Sequence, residues 1–130
     1  MKTLTYTVGD STLTSREFID LVQRVWPGEY DASATASALT RTINVTARDG
    51  PLLIGAVRVL SDGYYFGTIP ELLVDPSYQG RGVGRRLMEL AWQASPSSLY
   101  FGAQPGKEAF YEKLGYERSL QSFFRRKPRR

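Results

Sequence analysis

One run constrains this chain more than any other: Leu72-Leu73-Val74-Asp75-Pro76-Ser77-Tyr78-Gln79-Gly80-Arg81-Gly82-Val83-Gly84. It opens with three apolar residues, is interrupted by Asp-Pro, crosses a glycine-rich turn and continues with Val83, Leu87, Leu90 and Ala91 at helical spacing. A strand feeding a helix in this way must bury an apolar face of each, so the chain is committed to layered α-and-β architecture. Glycines at 80, 82 and 84 let successive N–H groups point into one concavity, and the helix behind them adds the positive end of its dipole. That is a cradle for phosphate, with Arg81, Arg85 and Arg86 at its mouth. Two other phosphate loops fit poorly: G-x-G-x-x-G fails at its third glycine, and no Lys follows the glycines as a P-loop needs. For the bare triplet, a tight connection without a ligand is the competing reading.

The rest of the chain predicts the frame around this turn. Residues 3–8 alternate as a half-buried strand, and Thr14-Ser15-Arg16-Glu17 reads as a capping box before Phe18, Leu21, Val22 and Val25. Residues 31–42, with Leu39 their only large apolar side chain, predict a short surface helix. Residues 43–48, 52–60 and 64–74 form an antiparallel meander. Pro70 cannot donate a ladder bond, which predicts a bulge or the end of pairing. After the helix that ends near Ser95-Pro96, residues 98–103 predict a strand, 107–114 a helix closed by Gly115, and 116–126 a final strand or hairpin. The sum is an α+β or mixed-sheet fold in one domain, 1–130.

Composition matters chiefly through two zeros. Without Cys there is no disulfide framework, thiolate nucleophile or Cys-ligated metal, and without His no imidazole general base. Protons must move through carboxylate, phenol, Lys or water, and no metal is expected. The longest largely apolar run, 51–60, is too short for a membrane helix and contains Arg58. A cytoplasmic location is expected, with no membrane contact. The net charge of +4 is concentrated at one end: 125–130 hold five of the 17 basic residues, leaving 12 against 13 acids elsewhere. This basic arm is read as a solvated terminus. An adaptor using it to touch nucleic acid is the alternative, but no specific nucleic-acid motif is present.

Gln79-Gly80-Arg81-Gly82-Val83-Gly84, preceded by Leu72-Leu73-Val74-Asp75-Pro76, resembles the Q/R-x-x-G-x-G/A signature of the Gcn-related N-acetyltransferase (GNAT) superfamily. Ala109-Phe110-Tyr111-Glu112-Lys113-Leu114-Gly115-Tyr116 is similar to its second motif, A-x-x-F-Y-x-x-L-G-F, at the family's spacing. With residues 55–62 the resemblance covers about half the chain, and within the superfamily it looks most like the small enzymes that include plastid serotonin and lysine acetyltransferases. It implies the GNAT fold: a mixed, mostly antiparallel sheet flanked by helices, with the fourth and fifth strands splayed.

The resemblance also implies roles. Acetyl-coenzyme A would lie in the splay, paired with main-chain groups of Leu72 and Val74 beside Leu73, with the Leu72 N–H polarising the thioester carbonyl. Its pyrophosphate would rest on Gln79, Gly80, Arg81, Gly82, Val83, Gly84 and Arg85, a side chain at 82 or 84 being excluded by collision or by φ. Tyr111 is the implied proton donor to the leaving thiolate, with packing on the sheet as its alternative. Glu71 is the candidate base, against an ordinary ion-paired Glu. Where many relatives carry Asn against the pantetheine, this chain has Gln104. Tyr64, Tyr65, Phe66, Trp26 and Tyr30 fall in regions that line the acceptor pocket in this family. The implied activity is transfer of acetyl to a small-molecule or peptide primary amine by direct attack in a ternary complex. A non-catalytic acyl-coenzyme A binder is the second reading. Relatives often form homodimers, though no self-pairing motif is evident.

Overall fold

The structure, a computed structural model, describes residues 3–128. Its elements are β1 (Thr5–Val8), α1 (Ser15–Val25), α2 (Ala32–Leu39), β2 (Ile43–Asp49), β3 (Leu52–Ser61), β4 (Gly67–Thr68), β5 (Leu72–Val74), a 3-10 turn (Pro76–Tyr78), α3 (Val83–Ala94) and α4 (Glu108–Lys113). The capping box forms as expected: Thr14 accepts from the Glu17 N–H at 3.2 Å, and Glu17 accepts from the Thr14 N–H at 2.9 Å. Asp31 caps α2, which buries only Leu39.

The sheet runs β1-β2-β3, antiparallel throughout, and β3 is long enough to pair with both β4 and β5. Leu60 faces Thr68 and Val57 faces Leu72, so Ile69, Pro70 and Glu71 oppose only Arg58 and Val59. This one-residue bulge sits at Pro70, where the missing N–H removes a ladder bond. Helices cover both faces. Val83, Leu87, Met88 and Ala91 of α3 pack on Val45, Ala47, Ile54, Val57 and Val59. Phe18, Leu21 and Val22 of α1, with Leu39, pack on Leu53, Ala56 and Leu73. Complete burial of Leu87 stabilises by roughly 1.5–3 kcal/mol. Gly55 lets α3 come close: a Cβ there would stand 3.0 Å from Leu87.

A polar clasp holds the start of the chain. Asp10 accepts from the Thr12 N–H (2.9 Å), Thr46 Oγ1 (2.7 Å) and Arg48 (3.2 Å), and Arg48 also reaches Glu17 at 2.5 Å. Burial by itself would push the Asp10 carboxyl up, but the hydrogen bonds from Thr12, Thr46 and Arg48 outweigh it and hold it at about 2.

Three strand expectations are corrected. Residues 64–74 are not one strand: the Asp62 carboxylate accepts the N–H groups of Tyr64 (2.8 Å), Tyr65 (2.8 Å) and Phe66 (3.1 Å), holding all three in a turn, and the bulge divides the remainder. Residues 98–103 make a single parallel bridge, Tyr100 to Thr68, because the splay from β5 removes their ladder partner. Residues 116–126 form no strand, and Leu120, Phe123 and Phe124 are 80–96% exposed. In the basic arm, Arg129 and Arg130 lie outside the described residues.

Candidate functional site

The site is built along the outer edge of β5. The Glu71 carbonyl accepts from the Arg58 N–H (3.4 Å), the Asp75 N–H donates to the Ile54 carbonyl (2.8 Å), and Leu73 lies opposite Ala56 between them. Main-chain groups alternate direction along a strand. Those of Leu72 and Val74 therefore point away from β3, toward the open side of the sheet. The Gln79 side-chain amide donates to the Val74 carbonyl at 3.0 Å, folding the turn back over the strand end.

Beyond Val74, two braces fix the turn. Asp75 accepts from the Ser77 N–H at 2.7 Å and pairs with Arg24 of α1 at 3.1 Å, while Arg24 also donates to the Leu53 carbonyl at 2.7 Å. The Tyr78 hydroxyl donates to Asp49 at the end of β2, which pushes the phenol's pKa up. Arg81 lies 5.4 Å over the Tyr78 ring, so its guanidinium is held beside the glycines.

Gly80 and Gly82 adopt φ of 78° and 84°, conformations that L side chains rarely adopt. Gly82 is the N-cap of α3 and provides no side-chain cap. Among the described residues the first-turn amides of α3 are therefore left without a side-chain cap. Gly84 departs from expectation: it is helical without positive φ, and a Cβ there would meet Phe110, Leu72 and Val74 at an ordinary 3.5–3.7 Å. Arg85 and Arg86 both reach Glu89, at 3.3 and 3.6 Å, on an exposed helix face.

α4 closes the cleft. Phe110 reaches the start of α3, and Tyr111 packs edge-on to Phe101 (4.8 Å), Phe110 (5.0 Å) and Tyr116 (6.5 Å). Burial raises the Tyr111 pKa. Its hydroxyl makes no hydrogen bond among the described residues. Burial, with Tyr111 next, also raises the Tyr116 pKa, and its buried hydroxyl has no partner among the described residues. Gln104 stands exposed in the loop before α4, its carbonyl accepting from the Lys107 N–H at 3.0 Å.

Glu71 is an ion-paired carboxylate: one oxygen meets Arg58 Nε and the other Arg58 Nη2 at 2.8 Å. Arg58 in turn lies 5.9 Å over the Phe18 ring of α1. Glu71 and Tyr111 therefore flank the free edge from opposite faces, one toward α1 and the other on the α3 side. Trp26 is exposed, and Tyr30 is tied to the Trp26 carbonyl at 2.7 Å. Tyr64 and Tyr65 project into solvent, and Phe66 stacks on Tyr100 at 5.5 Å. Sequence reading missed Arg58, Arg24 and Asp49 as supports; the one signal was a lone charge, Arg58, inside an apolar run. Among the described residues no His, Cys, Asp or Glu cluster could hold a metal ion, and no helix is long and apolar enough to cross a membrane.

The edge of β5 that faces away from β3 leads through a glycine turn to a helix start without a side-chain cap. The chain belongs to the GNAT acetyltransferases: residues 41–118 match the family described as "Acetyltransferase (GNAT) domain". It is 38% identical over 69 residues to GCN5-related N-acetyltransferase 2, chloroplastic, of Arabidopsis thaliana, covering 50% of this chain and 27% of that protein. The chain spans 27–39% of the length of that protein and similar curated relatives. The fold is the GNAT fold. A GNAT-family acetyltransferase of Streptococcus pneumoniae, SP0256, superposes with TM-score 0.76 at 21% identity, over 96% of this chain and 100% of that one. Aminoglycoside N-acetyltransferase AAC(6')-Iy, solved in complex with CoA, superposes with TM-score 0.70 at 17% identity, over 96% and 95%.

Proposed function

We propose that this chain transfers acetyl from acetyl-coenzyme A to a primary amine by direct attack in a ternary complex. The observation that carries the reading is the edge of β5 that faces away from β3, which leads through the glycine turn to the uncapped amides of α3 and is flanked by Glu71 on one face and Tyr111 on the other. Leu72 and Val74 would pair with the pantetheine arm, Leu73 holding the strand in place from its buried side. The amides and side chains from Gln79 through Arg85 would bind pyrophosphate, and Gln104 would approach the pantetheine. The family membership and the CoA bound by AAC(6')-Iy support the choice of cosubstrate.

In the reaction, the neutral amine nitrogen forms a bond to the thioester carbon while the carbonyl oxygen takes a hydrogen bond from the Leu72 N–H. The C–S bond then breaks, and the thiolate takes the proton of the Tyr111 hydroxyl. A phenol kept protonated by burial suits that donor role. The proton lost by the amine passes to Glu71 through water, because Arg58 occupies the carboxylate directly. No acyl-cysteine step arises, since the chain has no Cys.

The test is thiol release from acetyl-coenzyme A across a panel of small amines and lysine peptides. Turnover with at least one amine supports transfer. Tight binding of the cosubstrate with no turnover would favour the non-catalytic acyl-coenzyme A binder, which the occupied Glu71 carboxylate favours.

A further inference from the structure

β5 gives way to the glycine turn at Asp75, and the two oxygens of its carboxylate have separate tasks. Oδ1 accepts the Ser77 N–H at 2.7 Å and so starts the 3-10 turn Pro76–Tyr78. Oδ2 meets Arg24 Nη1 of α1 at 3.1 Å. The Asp75 side chain is only 9% exposed, so it depends on that guanidinium to balance its charge.

Arg24 is itself firmly placed. Its Nη2 donates to the Leu53 carbonyl of β3 at 2.7 Å. The end of α1 behind it is closed by its neighbours: the Trp26 N–H donates to the Val22 carbonyl (2.6 Å), and the Gln23 amide donates to the Gly28 carbonyl (2.5 Å) and accepts the Gly28 N–H (3.0 Å). Arg24 Nε is buried without a hydrogen-bond partner among the described residues. An orphaned donor between two bonded ones marks a guanidinium held where its contacts need it, at a cost to its own solvation.

On the other side of Asp75 the glycines are close. Tyr78 ends the 3-10 turn with Arg81 5.4 Å over its ring, and Gly80 and Gly82 follow at φ of 78° and 84°. The setting of the Asp75 carboxylate therefore sets where this turn begins.

We propose that Arg24 is a positioning residue for the cosubstrate: through Asp75 it fixes the start of the glycine turn, so that α1 holds in shape the amides that bind the pyrophosphate of acetyl-coenzyme A. The inference rests on the reading of this turn as the cosubstrate's site.

Calorimetry with coenzyme A on the full chain tests it. Arg24→Met is expected to weaken binding about tenfold, and Asp75→Asn, which keeps an oxygen for the Ser77 N–H, by a similar factor. The sign of the second effect is decisive. Removing a negative charge near a polyanion tightens binding if charge alone matters, so weakening means that the turn has lost its shape. The double variant should bind no worse than either single one, because both break the same link. With an amine that turns over, kcat at saturating acetyl-coenzyme A should stay within about twofold of the natural chain while KM rises. Circular dichroism checks the fold, and Asp75→Asn carries the test if Arg24→Met does not fold. Unchanged affinity in either variant, tighter binding by Asp75→Asn, or strict additivity in the double variant would overturn this inference alone. A natural chain that binds no coenzyme A would remove the reading of the turn and this inference together.

Discussion

Glu71 presents both carboxylate oxygens to the guanidinium of Arg58, its neighbour across the bulge on β3. The pair is only 15–18% exposed at its side chains, so neither charge can lose its partner without cost. Arg58→Met leaves the Glu71 anion unpaired and is expected to lower unfolding free energy by about 1–3 kcal/mol, read by urea denaturation. Glu71→Gln is expected to cost less in stability but to lower kcat roughly 100-fold, with coenzyme A affinity unchanged by calorimetry. Equal kcat for Glu71→Gln and the natural chain would remove Glu71 from the proton path.

Tyr111 must be protonated to act as a donor, and burial raises its pKa above the ordinary phenol value of 10.0. Loss of the donor on the alkaline side is therefore expected only above that value. Tyr111→Phe should lower kcat about 100-fold, keep the affinity for coenzyme A, and abolish that alkaline decline in a kcat profile. An alkaline limb that persists in the variant would assign it to another group.

Two glycines of the turn should respond oppositely to alanine. Gly82, at φ 84°, is expected to lose about 1–2 kcal/mol and to bind acetyl-coenzyme A more weakly, because alanine strains the N-cap. Gly84→Ala should gain about 0.5–1 kcal/mol in the ligand-free protein, since its position is helical and a Cβ finds only ordinary contacts. Urea denaturation of the two variants side by side checks both signs.

Asp10 gives the fold an acid-dependent component. Its folded pKa of about 2 lies below the ordinary aspartate value of 3.8, so its stabilisation is complete above the unfolded value and is lost as pH falls from about 4 to 2. Asp10→Asn should cost about 2 kcal/mol near pH 7 and close to nothing below pH 2. Parallel stability curves for the two chains would show this; a pH-independent difference would mean that packing, not charge, holds the clasp.

Local rules account for what was legible in the sequence. The capping box at Thr14 and Glu17, the bulge at Pro70, the glycine turn and α3 each depend on residues within a few positions of one another, and each formed where expected. The strands over 98–103 and 116–126 did not form as read, because β propensity yields a strand only when a partner edge is in reach. Tyr64, Tyr65 and Phe66 are β-formers captured instead by one Asp62 carboxylate.

The same division holds for the site. By itself the sequence determined the glycine turn, the family and the identity of Tyr111 and Glu71 as candidates, since glycine spacing and short motifs are local properties. Only the tertiary structure decided that Glu71 is bound to Arg58, that Asp49 and Arg24 brace the turn, and that Glu71 and Tyr111 stand on opposite faces of one strand edge. These are contacts between residues 13–51 positions apart in the sequence or set by which face of the sheet a residue meets, and packing of α1 and α3 against that sheet fixes them.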